Sequence, residues 1–232
     1  MIPLKSARKK QHFLSLHSRG LTVATVISLA IIGLFSFAPG AMAHHFSGGK
    51  IPDSFLTGFL SGLAHPIIGL DHFAFVVASG LMAVGLVWGM SIPIAFVLAT
   101  VLGTALHLQS LDLPAAEVVI AGSVVLFGIL LAVRSYKANL QGIDTVILTA
   151  IAAGAGIFHG YAYGEAIVGA KMMPLVSYLA GFTTIQLGIA VAAYALGNAI
   201  VKNFAGKPFA PMRLVGLAIA MIGVVFLSAS VS

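Results

Sequence analysis

From residue 71 onward, long apolar stretches alternate with short polar breaks along the chain. Cut at those breaks, it falls into segments 71–90, 91–109, 114–134, 143–163, 174–201 and 211–230. Each is close to the ~20 residues that an α-helix needs to cross the hydrocarbon core of a bilayer. Pro114, Pro174 and Pro211 stand where proline is tolerated, in a first helical turn, and Asp112 is placed to cap the third segment. A further apolar piece, 54–64, is too short to span alone and stops at His65-Pro66. It reads as a half-helix that enters from the outer side and breaks before the first full span. Non-helical backbone at membrane depth persists only where protein or a water-filled cavity satisfies it, so this break already marks a candidate site. The predicted fold is an all-α membrane protein with six transmembrane helices plus that short broken half-helix, after a cleavable signal peptide.

Composition agrees with the pattern. Of 232 residues, 59% are hydrophobic and 8% charged, with a mean hydropathy of +1.08. A water-soluble domain carries about a quarter charged residues, so this chain cannot clothe a soluble surface. The 26 glycines fit membrane helices, where small residues let backbones approach; Gly58/Gly62 and Gly160/Gly164 have the spacing of such contacts. Cysteine is absent, which excludes disulfides, zinc-thiolate sites and thiol nucleophiles.

The formal net charge of +6 belongs to the N-terminus. Lys5, Arg8, Lys9, Lys10 and Arg19 precede an apolar run over 21–38, and Pro39-Gly40 then leads to Ala41-Met42-Ala43. Basic, apolar and small-residue parts in that order predict a signal peptide over 1–43, with an uncleaved signal anchor the alternative, and a mature chain from His44, over 44–232, as one six-helix transmembrane domain. Without the five leader bases, seven remain against six acids, so no basic surface for nucleic acid is left. With an external N-terminus and six crossings, the loops holding Arg134 and Lys137, and Lys202, Lys207 and Arg213, face the cytoplasm, as the positive-inside rule requires. Counting 54–64 as a full span would turn those loops outward. The predicted location is the inner (plasma) membrane, with the mature N-terminus on the outer side.

Five ionisable residues interrupt the apolar chain: His65, Asp71, His72, His159 and Glu165, with His107 a sixth. Such residues are costly in a bilayer and usually face a cavity or a partner. The six-crossing topology brings them all toward the outer leaflet, although distant segments supply them. Imidazole suits nickel, cobalt, zinc and copper, and carboxylate adds a harder anionic donor, so a divalent first-row metal is the natural guest. His65 and His72 lie seven apart, on one face of a continuous helix, but Pro66 and Gly69 interrupt it. A turn there could still join the rings, with Asp71 either ligating a metal or holding a ring in one tautomer. The bland alternative is polar pairing that merely locks helices together. It explains one histidine well and several at one depth poorly.

At these residues the chain resembles the HupE/UreJ family. His65-Pro66-Ile67-Ile68-Gly69-Leu70-Asp71-His72 is similar to that family's HX5DH signature, and Phe158-His159-Gly160-Tyr161-Ala162-Tyr163-Gly164, followed by Glu165, is similar to its second. The resemblance implies a nickel, sometimes cobalt, permease linked to hydrogenase or urease maturation, with the motif His, Asp and Glu residues needed for transport. In one respect the chain departs from the pattern: Glu165 follows Gly164 directly, where the family has a residue between, and one residue turns a helical side chain by about 100°.

Together these features predict a permease, not an enzyme, with no permanently bound cofactor, that moves Ni²⁺ (or Co²⁺) inward over His65, Asp71, His72, His159 and Glu165. No nucleotide-binding loop accompanies them. Its partners are the metal ion and the lipid bilayer, with metalloenzyme maturation proteins served indirectly; a homo-oligomer remains open. The alternatives are a membrane-embedded metal-dependent hydrolase, whose metal would also need His and Asp ligands, and a helical scaffold that hands metal to a partner.

Overall fold

A computed structural model describes residues 51–134, 142–204 and 211–232. Seven helices occupy them: α1 (Phe55–Ile68), α2 (Leu70–Met82), α3 (Ser91–Leu108), α4 (Ala116–Val133), α5 (Gly142–Glu165), α6 (Met172–Phe204) and α7 (Pro211–Ser230). No strand occurs among the described residues. The predicted signal peptide, with its cleavage point before His44, lies outside them.

Helices α3 to α7 are each long and apolar enough to cross a membrane, and α1 with α2, bent by 81° at their junction, make a sixth if the pair counts as one span. The side chains sort as a bilayer demands. Leu98, Leu102, Val191, Leu196 and Leu217 are exposed, while Ser79, Thr100, Thr104 and Gln186 are buried. A soluble protein keeps residues of the second kind mostly at its surface.

Helix α3 packs parallel on α5, α4 antiparallel on α7, and α6 runs parallel to α1 and α2. Glycine permits the closest approaches. A Cβ on Gly160 of α5 would strike the Thr100 carbonyl of α3, and one on Gly62 of α1 the Tyr178 carbonyl of α6. Consecutive spans therefore alternate in direction. Arg134, at the end of α4, donates to the Met82 and Val84 carbonyls at 2.5 and 2.6 Å, which ties the C-terminal ends of α4 and α2 together. The end of α6, with Lys202, and the start of α7, with Arg213, share that basic end of the bundle. Asp53, Asp112, Glu117, Glu165 and Lys171 mark the other.

In three places the structure departs from the sequence expectation. The half-helix does not stop at His65-Pro66: α1 continues through Pro66 to Ile68, and the break falls at Gly69 (ψ 100°). Proline's fixed φ suits a helix; Pro66 removes one donor and crowds the carbonyl one turn earlier, but the chain turns only at Gly69, three residues on. The predicted first full span over 71–90 is not one helix. Helix α2 has 13 residues, about 20 Å of rise, and residues 83–90 form turns with Gly85 and Trp88 at φ 70° and 54°. Arg134 supplies donors to carbonyls that the early end of α2 exposes. Finally, Asp112 does not cap the third span. Helix α4 begins after Ala115, held at φ 55° with no side-chain cap, and Asp112 Oδ1 instead accepts from the Tyr161 hydroxyl at 3.5 Å.

Candidate functional site

The bend at Gly69 brings the two halves of the first motif together. His65 lies in the last turn of α1, and Asp71 and His72 in the first turn of α2. All three are buried, at 3–4% exposure, and the His65 and His72 rings sit 5.9 Å apart between centroids. Gly69 itself is required: a Cβ there would stand 2.6 Å from His72 Cδ2, so only a glycine lets the imidazole fold back over the break. Asp71 Oδ1 accepts from the His72 backbone N–H at 2.9 Å, meeting one of the donors that a helix start leaves unsatisfied.

The third imidazole comes from α5. His159 is wholly buried, and its Nδ1 lies 2.8 Å from Nδ1 of His72. Tyr163, one turn on, sets its ring 4.8 Å from both His65 and His72. Beneath His159, toward the basic end, Phe75, Phe96 and Phe127 close the cluster; each is fully buried. Phe75 lies 4.6 Å from each of the other two rings and 4.9 Å from His159.

Neighbouring hydroxyls assign the protons. Ser123 of α4 donates to the Ile120 carbonyl at 2.6 Å, so its oxygen accepts from His159 Nε2 at 3.1 Å. His159 Nδ1 is then the acceptor, and His72 Nδ1 donates to it. Likewise Tyr178 of α6 donates to the Tyr163 carbonyl at 2.9 Å, so His65 Nδ1 donates to the phenol oxygen at 3.1 Å. In this pattern His65 and His72 both keep Nε2 as the basic nitrogen, the atom a divalent metal takes. Ser123 and Tyr178 were not singled out from sequence. A lone hydroxyl in an apolar helix usually bonds its own backbone, as Ser123 does, while both bonds of Tyr178 go to other helices, so only tertiary packing shows these partners.

Glu165 is not part of this cluster. It ends α5 as an exposed residue, six positions beyond His159. His107, at the end of α3, packs edge-on against Tyr161 at 4.5 Å and against Gly164, with Nδ1 buried and lacking a hydrogen-bond partner among the described residues. No three His, Asp or Glu side chains among the described residues already converge as a ready metal cage. Two imidazoles on one metal, with bonds of about 2.0–2.1 Å, hold their nitrogens about 2.9–3.3 Å apart. The Nδ1 atoms of His72 and His159 are closer than that and hold a proton between them, so this pair is a hydrogen bond and not a ligand set through those atoms.

These features define a multi-pass helical membrane protein with imidazoles from three helices gathered in its interior. The chain belongs to the HupE/UreJ family, whose sequence model (HupE / UreJ protein) matches residues 29–226. It is 33% identical over 160 residues to Protein HupE of Rhizobium leguminosarum bv. viciae, which covers 64% of this chain and 78% of that one. The family is one of transport and accessory proteins, linked to nickel and cobalt transport and to hydrogenase and urease. No solved structure matches the chain.

Proposed function

We propose that the chain is an inner-membrane permease for Ni²⁺ uptake, with Co²⁺ the second cargo, that supports maturation of a metalloenzyme such as hydrogenase or urease. The observation that carries this reading is the convergence of His65, His72 and His159, from three helices, beside Asp71 in a buried cluster. The cation sheds part of its water onto the Nε2 atoms of His65 and His72, with Asp71 offsetting charge. The His72–His159 bond parts to admit it. Glu165, exposed at the acidic end of the bundle, acts on the approaching cation by charge and not as a ligand beside the imidazoles. The mature N-terminus lies outside and the basic end of the bundle faces the cytoplasm, following the positive-inside rule. A membrane potential negative inside then drives a divalent cation inward by about 4.6 kcal/mol per 100 mV.

The placement of Glu165 also favours transport over metal-dependent hydrolysis. A hydrolase needs a carboxylate base beside its metal in addition to the ligands, and the second motif's carboxylate stands away from the imidazoles. Accumulation of ⁶³Ni or ⁵⁷Co by cells that lack other importers, on expression of this chain, is the test. A scaffold would bind metal without accumulation, and either outcome short of accumulation removes the permease reading.

A further inference from the structure

Beneath the imidazoles the bundle is sealed. Phe75, Phe96 and Phe127 lie one turn toward the basic end from His72, Thr100 and Ser123 respectively, and all three rings are fully buried. They offer no lone pair to a cation leaving the cluster in that direction. One polar side chain stands beside this seal. Gln186, in the middle of α6, is 0% exposed, and its amide nitrogen donates to Thr100 Oγ1 at 3.4 Å. Thr100 packs on Gly160, the residue next to His159.

The orientation of the amide follows from its neighbour. Thr100 gives its own proton to the Val97 carbonyl at 2.7 Å, so its oxygen must accept, and Gln186 must present nitrogen to it. The other atom is therefore the carbonyl oxygen, Oε1, and it is buried with no hydrogen-bond partner among the described residues. An apolar residue of the same size would carry no such penalty. A buried oxygen donor left without a partner is what a cation or its water shell would use.

We infer that Gln186 Oε1 is the next oxygen ligand on the cargo's route, receiving the cation, directly or through a retained water, as it leaves the imidazoles around the phenylalanine seal. This rests on the permease reading. Because the residue acts after capture, its loss lowers the rate of passage and not the affinity of entry. Gln186→Leu and Gln186→Met remove the oxygen and keep the bulk, while Gln186→Glu keeps an oxygen.

Initial ⁶³Ni uptake, measured against external nickel in cells with matched membrane levels, separates these cases. In the two apolar variants the maximal rate falls at least tenfold with the half-saturating nickel concentration within about threefold of wild type, and Gln186→Glu retains most of the rate. An apolar variant that carries nickel at the wild-type rate overturns the inference. So does a loss confined to half-saturation, or failure of both apolar variants to reach the membrane, which would make Gln186 a packing residue. Wild-type cells that take up neither nickel nor cobalt overturn the permease reading itself, and the inference with it, whereas normal wild-type uptake with unaltered apolar variants overturns the inference alone.

Discussion

Nδ1 of His72 and Nδ1 of His159 lie 2.8 Å apart, so a residue at the start of α2 and one 87 positions later in α5 share a proton inside the bundle. Such a contact forms only if α1 and α2 bend at Gly69 and α5 lies against the bend. The two sequence motifs are therefore halves of one structure. Neither makes a cluster without the other.

Gly69→Ala tests the bend. A methyl group 2.6 Å from His72 Cδ2 cannot be accommodated without moving the ring, whereas the helices on either side keep their own backbone bonds. The variant should reach the membrane at near wild-type levels and lose at least tenfold in nickel uptake. Uptake equal to wild type would show that His72 need not occupy this position.

Ser123→Ala and Tyr178→Phe test the proton assignment. Each removes the oxygen that accepts from a ring N–H and leaves the helix packing almost unchanged. A lost hydrogen bond of about 0.5–1.5 kcal/mol corresponds to roughly a two- to tenfold rise in half-saturating nickel. Ser123→Thr, which restores a hydroxyl, should recover most of it. A change in maximal rate alone, with unaltered half-saturation, would remove these residues from the binding step.

Topology is tested separately. Reporters fused at Lys137 and Lys207 should read cytoplasmic, and those at Asp112 and Lys171 external, since Arg134, Lys202 and Arg213 gather at one end of the bundle. An external signal at Lys137 would invert the bundle and place the imidazoles at the wrong face for import.

Much of the fold was legible because crossing a bilayer imposes a length and an apolar composition. The last span, Pro211–Ser230, has the predicted limits, and α3 ends within a residue of them. Residues 83–90 were misread for the same reason. Val84, Leu86, Val87 and Trp88 are as apolar as a helix, and hydropathy cannot tell an apolar turn capped by a distant Arg134 from another two turns of span. The histidines were legible as costly residues in apolar surroundings. Glu165 met the same criterion, yet its position at the very end of α5 leaves it exposed. Ser123, Tyr178 and Gln186 were not legible, because their roles depend on which helix faces them.

The most direct measurement is the initial rate of ⁶³Ni uptake in the carboxylate series at equal protein in the membrane. Glu117 and Asp144 lie in the first turns of α4 and α5, where a carboxylate complements the positive end of the helix for about 0.3–1 kcal/mol. Glu117→Gln and Asp144→Asn should therefore transport almost normally, and Glu165→Gln should lose part of the rate. Asp71→Asn keeps the shape beside His72 and removes the charge. It should abolish uptake, as should His65→Ala, His72→Ala and His159→Ala. Asp71→Asn carrying nickel at the wild-type rate would contradict the account, because the metal would then cross without the buried cluster.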